Sequence, residues 1–266
     1  MAAPPPIASL WISGPLSVLD RICLLSFVAQ GHEVTLFHYF DLDNVPDGIT
    51  LRDAREIYPR DEILTHKSGS PAMHADIFRL HLMKQTDMIW ADTDQYCLRP
   101  FLPDADGYVL GRENDRLIVN SALRIPAEAP MLDYALEFVA DEYPIPPWAL
   151  PKRKRELKAA HEAGRPVHVS QMVFTTFGPF LLRHCLNKFN LMDHVSGADR
   201  FIPLPALQHR YAVKARFYDT IMQDMLTDNS DGVHLWGSNL RARGWLDRIE
   251  PGSFVGRAAK ELGVAL

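Results

Sequence analysis

The chain has few cysteines, no long apolar run and no excess of positive charge. Its three cysteines, Cys23, Cys97 and Cys185, are odd in number and widely spaced over 266 residues. They fit neither a disulfide framework nor a zinc-ligand spacing, so packing in a reducing compartment is their expected role. No run approaches the roughly 18 apolar residues that a membrane-spanning helix requires. The start, Met1-Ala2-Ala3-Pro4-Pro5-Pro6, lacks a basic segment and its prolines interrupt any apolar stretch, unlike a signal peptide. A cytoplasmic protein is expected, with peripheral contact at the inner membrane face left open. A net charge of -5 argues against a nucleic-acid partner, which calls for a basic balance. No internal repeat or low-complexity tract is present.

What is there is an α/β pattern. Ile7 to Ile12 reads as a strand, followed by a turn at Ser13-Gly14-Pro15. Leu16 to Gln30 has helical spacing, with Leu19, Cys23 and Phe27 on one face and Gly31 placed to end it. Glu33 to Tyr39 reads as the next strand. Strand, helix, strand in this order predicts a parallel unit. Asp41 to Gly48 is a turn-rich loop, and a short strand is expected near Arg55-Glu56-Ile57. Further expected elements are a helix over Pro71 to Gln85, a buried strand at Met88 to Ala91, and strands at Tyr108 to Arg112 and Leu117 to Leu123. Helices follow at Ala129 to Ala140, Lys152 to Glu162 and Pro179 to Phe189, with a proline-rich break at Pro144 to Pro151. A short strand is expected at Gly232 to Trp236. The expectation is one domain over 1–266, with a nucleotide-binding half at about 7–125 and acceptor-side additions at about 126–266.

The most informative tripeptide is Asp92-Thr93-Asp94. It follows the apolar run Met88-Ile89-Trp90-Ala91. Two carboxylates one residue apart at a buried strand end are costly without a compensating cation. Mg²⁺ or Mn²⁺ supplies one and shares its remaining positions with phosphates; a solvated Asp-rich turn is the alternative. Upstream, Asp76 and Arg79 lie at i and i+3 and share a helix face. They form either an exposed ion pair or a carboxylate and guanidinium aimed into a pocket. Asn120 is a polar residue in the apolar run Leu117 to Ala122. In His234-Leu235-Trp236, strand alternation alone would put His and Trp on one face. Lys152-Arg153-Lys154-Arg155 with Lys158 reads as a solvated helix face, with anionic lipid headgroups as the alternative contact.

The order of these pieces, A-D-x-x-R-x-x-x-L on a helix leading into an apolar strand that ends in D-x-D, resembles the DXD-motif sugar-nucleotide glycosyltransferases. This is the family of bacterial α-1,4-galactosyltransferases and yeast initiation mannosyltransferases; the glucosylating domains of large clostridial toxins are more distantly similar. The resemblance runs from about Ile7 to Phe101, with islands at Asn120, Gly178-Pro179 and His234-Leu235-Trp236. It implies a GT-A type fold, with a mostly parallel central sheet flanked by helices. It implies transfer of a sugar from a nucleoside-diphosphate donor, UDP-linked, to a glycan, lipid-linked or other hydroxyl acceptor, with retention.

By the same resemblance, Trp11 with Ile12 beside it meets the nucleotide base. Asp76, Arg79 and Asn120 hold the donor sugar and phosphate, and Asp92 touches ribose and sugar. Asp94, with Asp92 and His234, holds Mn²⁺ or Mg²⁺. The Trp236 indole N–H donates to a phosphate oxygen. Asp92, Asp94 and Arg79 are the expected catalytic residues. The chain departs from the family pattern in having Thr86-Asp87 where Gly-Gly is common, and Ala8-Ser9-Leu10 before Trp11. Two other classes carry similar features: a haloacid-dehalogenase-type Mg²⁺ phosphatase, and a non-catalytic sugar-nucleotide or glycan binding protein.

Overall fold

The computed structural model describes residues 3–12, 14–115 and 117–266. Met1, Ala2 and Ser13 lie outside them, so the first two residues of the N-terminal reading and the first position of the expected Ser13-Gly14-Pro15 turn are not described. The order is β1 (Ile7–Trp11), α1 (Val18–Ala29), β2 (Val34–His38), β3 (Ile49–Asp53), α2 (Ala72–Gln85), β4 (Ile89–Ala91), β5 (Gln95–Cys97), β6 (Val109–Asn114), β7 (Leu117–Arg124) and α3 (Pro130–Val139). Then come α4 (Pro151–Glu162), α5 (Pro179–Lys188), α6 (Ala198–Phe201), α7 (Gln223–Met225), β8 (Gly232–His234), α8 (Gly237–Ala242) and α9 (Phe254–Glu261).

Six strands form the central sheet in the order β3-β2-β1-β4-β7-β6. β1 is parallel to both β2 and β4, and β2 is parallel to β3. β7 is antiparallel to its neighbours β4 and β6. The expected α/β architecture with a mostly parallel sheet is therefore present. Strands β1, β2 and β4 are buried on both faces, and period-two alternation divides their side chains. Ala8, Phe37 and Trp90 join Phe78, Leu132 and Leu181 from α2, α3 and α5 in one core. Ile7, Leu36 and Ile89 join Leu24 and Phe27 from α1 in another. A third core links Leu19 and Ile22 of α1 to Val233, Leu235 and Val255. The C-terminal elements are thus packed onto the first helix.

α1 begins with a capping box, in which Ser17 and Asp20 satisfy each other's backbone N–H. It ends before Gly31, whose φ of +86° suits glycine. Two boundaries differ from expectation. The strand expected at 55–57 lies earlier, as β3, and Ala54–Glu56 is a 3₁₀ turn. The Asp53 side chain caps that turn by accepting from Arg55 N–H, and four of the five β3 residues are exposed, so apolar patterning is absent. The strand expected over 232–236 ends at His234, because Trp236 takes a left-handed φ of 57°. β8 pairs antiparallel with β5, placing His234 opposite Gln95.

Candidate active site

In an open α/β sheet, ligands sit beyond the carboxyl ends of strands where the strand order reverses. Here that point falls between β1 and β4. From β1 the sheet grows one way through β2 and β3, and the other way through β4. The ladder between β1 and β4 covers only Ile7↔Ile89 and Ala8↔Trp90, so both strands diverge at their ends. The buried Ser9 hydroxyl ties the gap by donating to Ala91 O at 2.6 Å. A cleft of about 540 Å³ opens there. Trp11 and Ile12 line it from β1, Ala75 and Arg79 from α2, Asp92, Thr93 and Asp94 from the β4 end, and Gly237, Ser238 and Arg241 from α8.

The acidic tripeptide is held by groups from both ends of the chain. Asp92 Oδ1 accepts from the Trp90 indole N–H at 2.7 Å and lies 3.4 Å from Arg79 Nη2. Asp94 Oδ2 accepts from Gly237 N–H at 2.7 Å, and its Oδ1 is 3.1 Å from His234 Nε2. Leu235 N–H donates to Asp94 O at 2.9 Å. One ligand atom from each of Asp92, Asp94 and His234 lies within 4.8 Å of the others. Burial pushes the Asp92 carboxyl up, against the pull of Arg79. For Asp94 burial also pushes upward, but the His234 charge and hydrogen bond outweigh it and hold the carboxyl below its ordinary range. His234 answers in kind: burial lowers its pKa, and Asp94 more than restores it.

Asp76 and Asn120 sit one layer in, against Arg79. Asn120 Nδ2 donates to Asp76 Oδ1 at 2.7 Å, and Arg79 Nη2 lies 3.5 Å from the same oxygen. Arg79 donates through Nε to Ala75 O and through Nη1 to Asn120 O. Its guanidinium lies 4.5 Å from the Trp90 ring centroid, a favourable cation–π placement. Burial pushes the Asp76 carboxyl up to about 7, with Arg79 opposing. The pair is buried and not an exposed ion pair, and of the two side chains Arg79 lines the cleft. Gly178 closes the back of the group. A Cβ there would stand 2.7 Å from Asp76 Oδ2 and 2.8 Å from Asn120 Nδ2.

Trp11 is half-buried at the cleft mouth. Its Nε1 donates to Gly14 O at 2.7 Å, and the Arg241 guanidinium lies 5.8 Å from its ring. The Trp236 indole N–H, expected on a phosphate oxygen, donates here to Leu204 O at 2.7 Å. Its ring centroid lies 4.2 Å from that of His234, with the rings tilted at 51°. A bulky residue in left-handed backbone is strained, and these two contacts hold it there. The turn it makes aims Gly237 N–H at Asp94.

Sequence reasoning missed Asp20 and Arg241. Asp20 is buried, accepts from Thr93 Oγ1 at 3.0 Å, and lies 3.4 Å from Arg241 Nη2. Burial raises its pKa, and the Ser17 bonds, Arg241 and Thr93 pull it back. The spacing Ser17-x-x-Asp20 signals a helix cap. Nothing local signals that the same carboxylate braces Thr93 and Arg241.

Comparison with known proteins gives fold-level likeness only. No protein-family model matches the chain, and no curated protein matches it. Among solved structures it is similar to the PaToxG glycosyltransferase, at 14% identity over 70% of each chain with a TM-score of 0.46. Mouse xyloside xylosyltransferase 1 in its apo form is 11% identical over 86% of this chain and 96% of that one, with a TM-score of 0.40. The apo WbbM bifunctional glycosyltransferase is 12% identical, over 88% of this chain and 46% of that one, with a TM-score of 0.36. No described helix is long and apolar enough to cross a membrane.

Proposed function

We propose that the chain is a metal-dependent glycosyltransferase that takes its sugar from a nucleoside-diphosphate donor, UDP-linked, and passes it to a hydroxyl acceptor. The observation that carries this reading is the grouping of His234 with Asp92 and Asp94, which line a cleft that also presents Arg79 and an aromatic face, Trp11. The charge balance explains why a cation belongs there. Asp92 and Asp94 place two carboxylates at one strand end, with the Arg79 guanidinium beside Asp92. A diphosphate would not enter such a field unaided.

Two carboxylates and an imidazole make a donor set suited to Mn²⁺ or Mg²⁺. The fit has a further support: one ligand atom from each of the three side chains lies within 4.8 Å of the others. When bound, the metal acts as a Lewis acid that stabilises charge developing on the diphosphate leaving group. The protein's own groups do the rest. Trp11 offers a stacking face for the base. Arg79 is a fixed cation whose planar fork suits phosphate or paired hydroxyls, and its bonds to Ala75 O and Asn120 O hold it without reorganisation. Arg241, held by Asp20, faces the same space from α8. Asp76, with a carboxyl near neutrality, can donate to or accept from a sugar hydroxyl.

A thermal-shift screen of nucleoside diphosphates, with and without Mn²⁺, tests the reading. A ligand that binds the native state raises the melting temperature by mass action. UDP with Mn²⁺ is expected to stabilise more than either alone, and UDP-sugar is expected to be slowly hydrolysed. Stabilisation by no nucleotide, with any divalent ion, overturns the proposal.

A further inference from the structure

A second, larger cavity lies among the helices. It measures about 950 Å³, at the upper end of small-molecule sites. Apolar residues from the segment 146–150 before α4, from the segment 172–174, and Leu157 of α4 and Phe180 of α5 form most of its wall. Three of them are conspicuously out of the core: Leu150 is 76% exposed, Val173 61% and Phe174 43%. Single exposed apolar residues are ordinary, but several around one cavity mark a binding surface.

The charged residues in its wall are Lys67, Arg153 and Arg183, and no Asp or Glu among the described residues lines it. In a chain of net charge -5, this is a local reversal of sign. Lys67 Nζ is held at the rim by Gln171 O at 3.2 Å. Arg153 is shared with exposed Glu156 at 3.2 Å. The facing histidines are tied up. His66 Nε2 meets Met172 O at 3.1 Å, and His184 Nε2 meets the Tyr134 hydroxyl at 3.1 Å. His184 is also kept neutral by burial and by the charges of Lys188 and Lys154.

The two cavities share wall segments. His66 and Lys67 line the apolar one, and Ser70, Pro71 and Ala72 line the acidic one. Thr176, in the apolar wall, is two residues from Gly178, which touches Asp76 and Asn120.

We propose that the apolar cavity binds the hydrocarbon tail of a phosphate-bearing lipid, with Arg153, Arg183 and Lys67 on its phosphate. Charge complementarity selects this occupant. An apolar wall takes the tail, and an all-basic set of guanidinium forks and ammonium takes the head. Resting on the transferase reading of the neighbouring cleft, that lipid is the sugar acceptor through a hydroxyl of its head group: the hydroxyl oxygen bonds to the donor's anomeric carbon as that carbon's bond to the diphosphate breaks, the nucleoside diphosphate leaves, and the hydroxyl proton is released.

The test is calorimetric titration with dodecyl phosphate below its micellar concentration, against dodecyl maltoside and inorganic phosphate. Dodecyl phosphate is expected to bind at least about tenfold more tightly than either control, since only it satisfies both wall and rim. Leu150→Asp and Val173→Asp, both at exposed positions that folding tolerates, are expected to weaken it about tenfold. Arg183→Ala is expected to narrow the gap between dodecyl phosphate and dodecyl maltoside. UDP with Mn²⁺ is titrated into the same variants and is expected to bind unchanged. Its failure to bind wild type would count against the transferase reading and leave the lipid result standing. Equal affinity for the two dodecyl compounds, or dodecyl phosphate binding unchanged in both Asp variants, overturns the proposal.

Discussion

The acidic cleft and the apolar cavity are built on opposite principles. In the acidic cleft, nearly every functional side chain is fixed by a hydrogen bond or ion pair to a strand end, a helix or another site residue. Asp92 has the Trp90 indole, Asp94 has Gly237 N–H and His234, and Arg79 has Ala75 O and Asn120 O. In the apolar cavity the wall is helix and loop side chains, several of them exposed. The first arrangement presets charge and direction, which electrostatic catalysis demands. The second presets only volume and polarity, which suits a chain-like ligand of variable contour. Substitutions in the cleft should therefore act through charge and geometry, and those in the cavity through area.

The comparison breaks most visibly at Asp94. Asp94→Asn is expected to cut Mn²⁺-dependent turnover of a UDP-sugar roughly a hundredfold or more, with the protein still folded and dodecyl phosphate binding intact. A well-folded variant with wild-type turnover removes Asp94 from the metal site. Next in size is Trp11→Ala. A stacked base is worth about 1–3 kcal/mol, so UDP affinity should fall roughly ten- to hundredfold. Trp11 is half-buried, so the stability cost should stay below the roughly 3–5 kcal/mol of a core Trp→Ala change. Calorimetry beside a denaturation curve separates the two. Unchanged UDP affinity in a destabilised variant makes Trp11 a packing residue.

Gly178→Ala sharpens the comparison where the cavities approach each other. Its Cβ would stand 2.7 Å from Asp76 Oδ2 and 2.8 Å from Asn120 Nδ2, so the carboxylate or amide must move. Overpacking of this kind costs about 1–3 kcal/mol. Urea denaturation should show the loss, and donor affinity should fall with it. A variant as stable as wild type would mean that the Asp76–Asn120 pair shifts freely and is not preset.

Much of the first half was legible because parallel strands buried on both faces read as short apolar runs between helices. The acidic tripeptide announced itself by its place at such a strand end. What could not be read was non-local. β5 is three residues long and exists because β8, far along the chain, pairs with it. The commitment of the Trp236 indole to Leu204 O, and the bracing of Arg241 by Asp20, depend on how the C-terminal elements fold back onto α1. α9 was missed although its signal was present: Phe254, Val255, Ala258 and Ala259 form one helical face, and Ser253 caps it. The region 206–222 is 3₁₀ and π turns, whose irregular spacing matches no simple period.

The smallest expected effect is a pH dependence, and it tests how buried the sugar-side carboxylate is. Asp76 has its pKa raised from 3.8 to about 7, chiefly by burial, with Arg79 opposing. The native state then keeps this proton up to about pH 7, whereas the unfolded chain loses it near about pH 4. Between those limits the native state binds more protons. Stability must therefore fall as pH rises through the window and level off above it. Asp76→Asn keeps the shape and cannot titrate, so this part of the slope should vanish. Urea denaturation of both proteins across the window should show the variant gaining on wild type as pH rises. Groups that do not feel the Asp76 charge cancel in the difference, and Asp92, which does, contributes a smaller remainder. A difference that does not change with pH would mean that Arg79 and Asn120 keep Asp76 ionised throughout. The cleft would then hold a fixed anion where a group able to donate a proton to a sugar hydroxyl is expected.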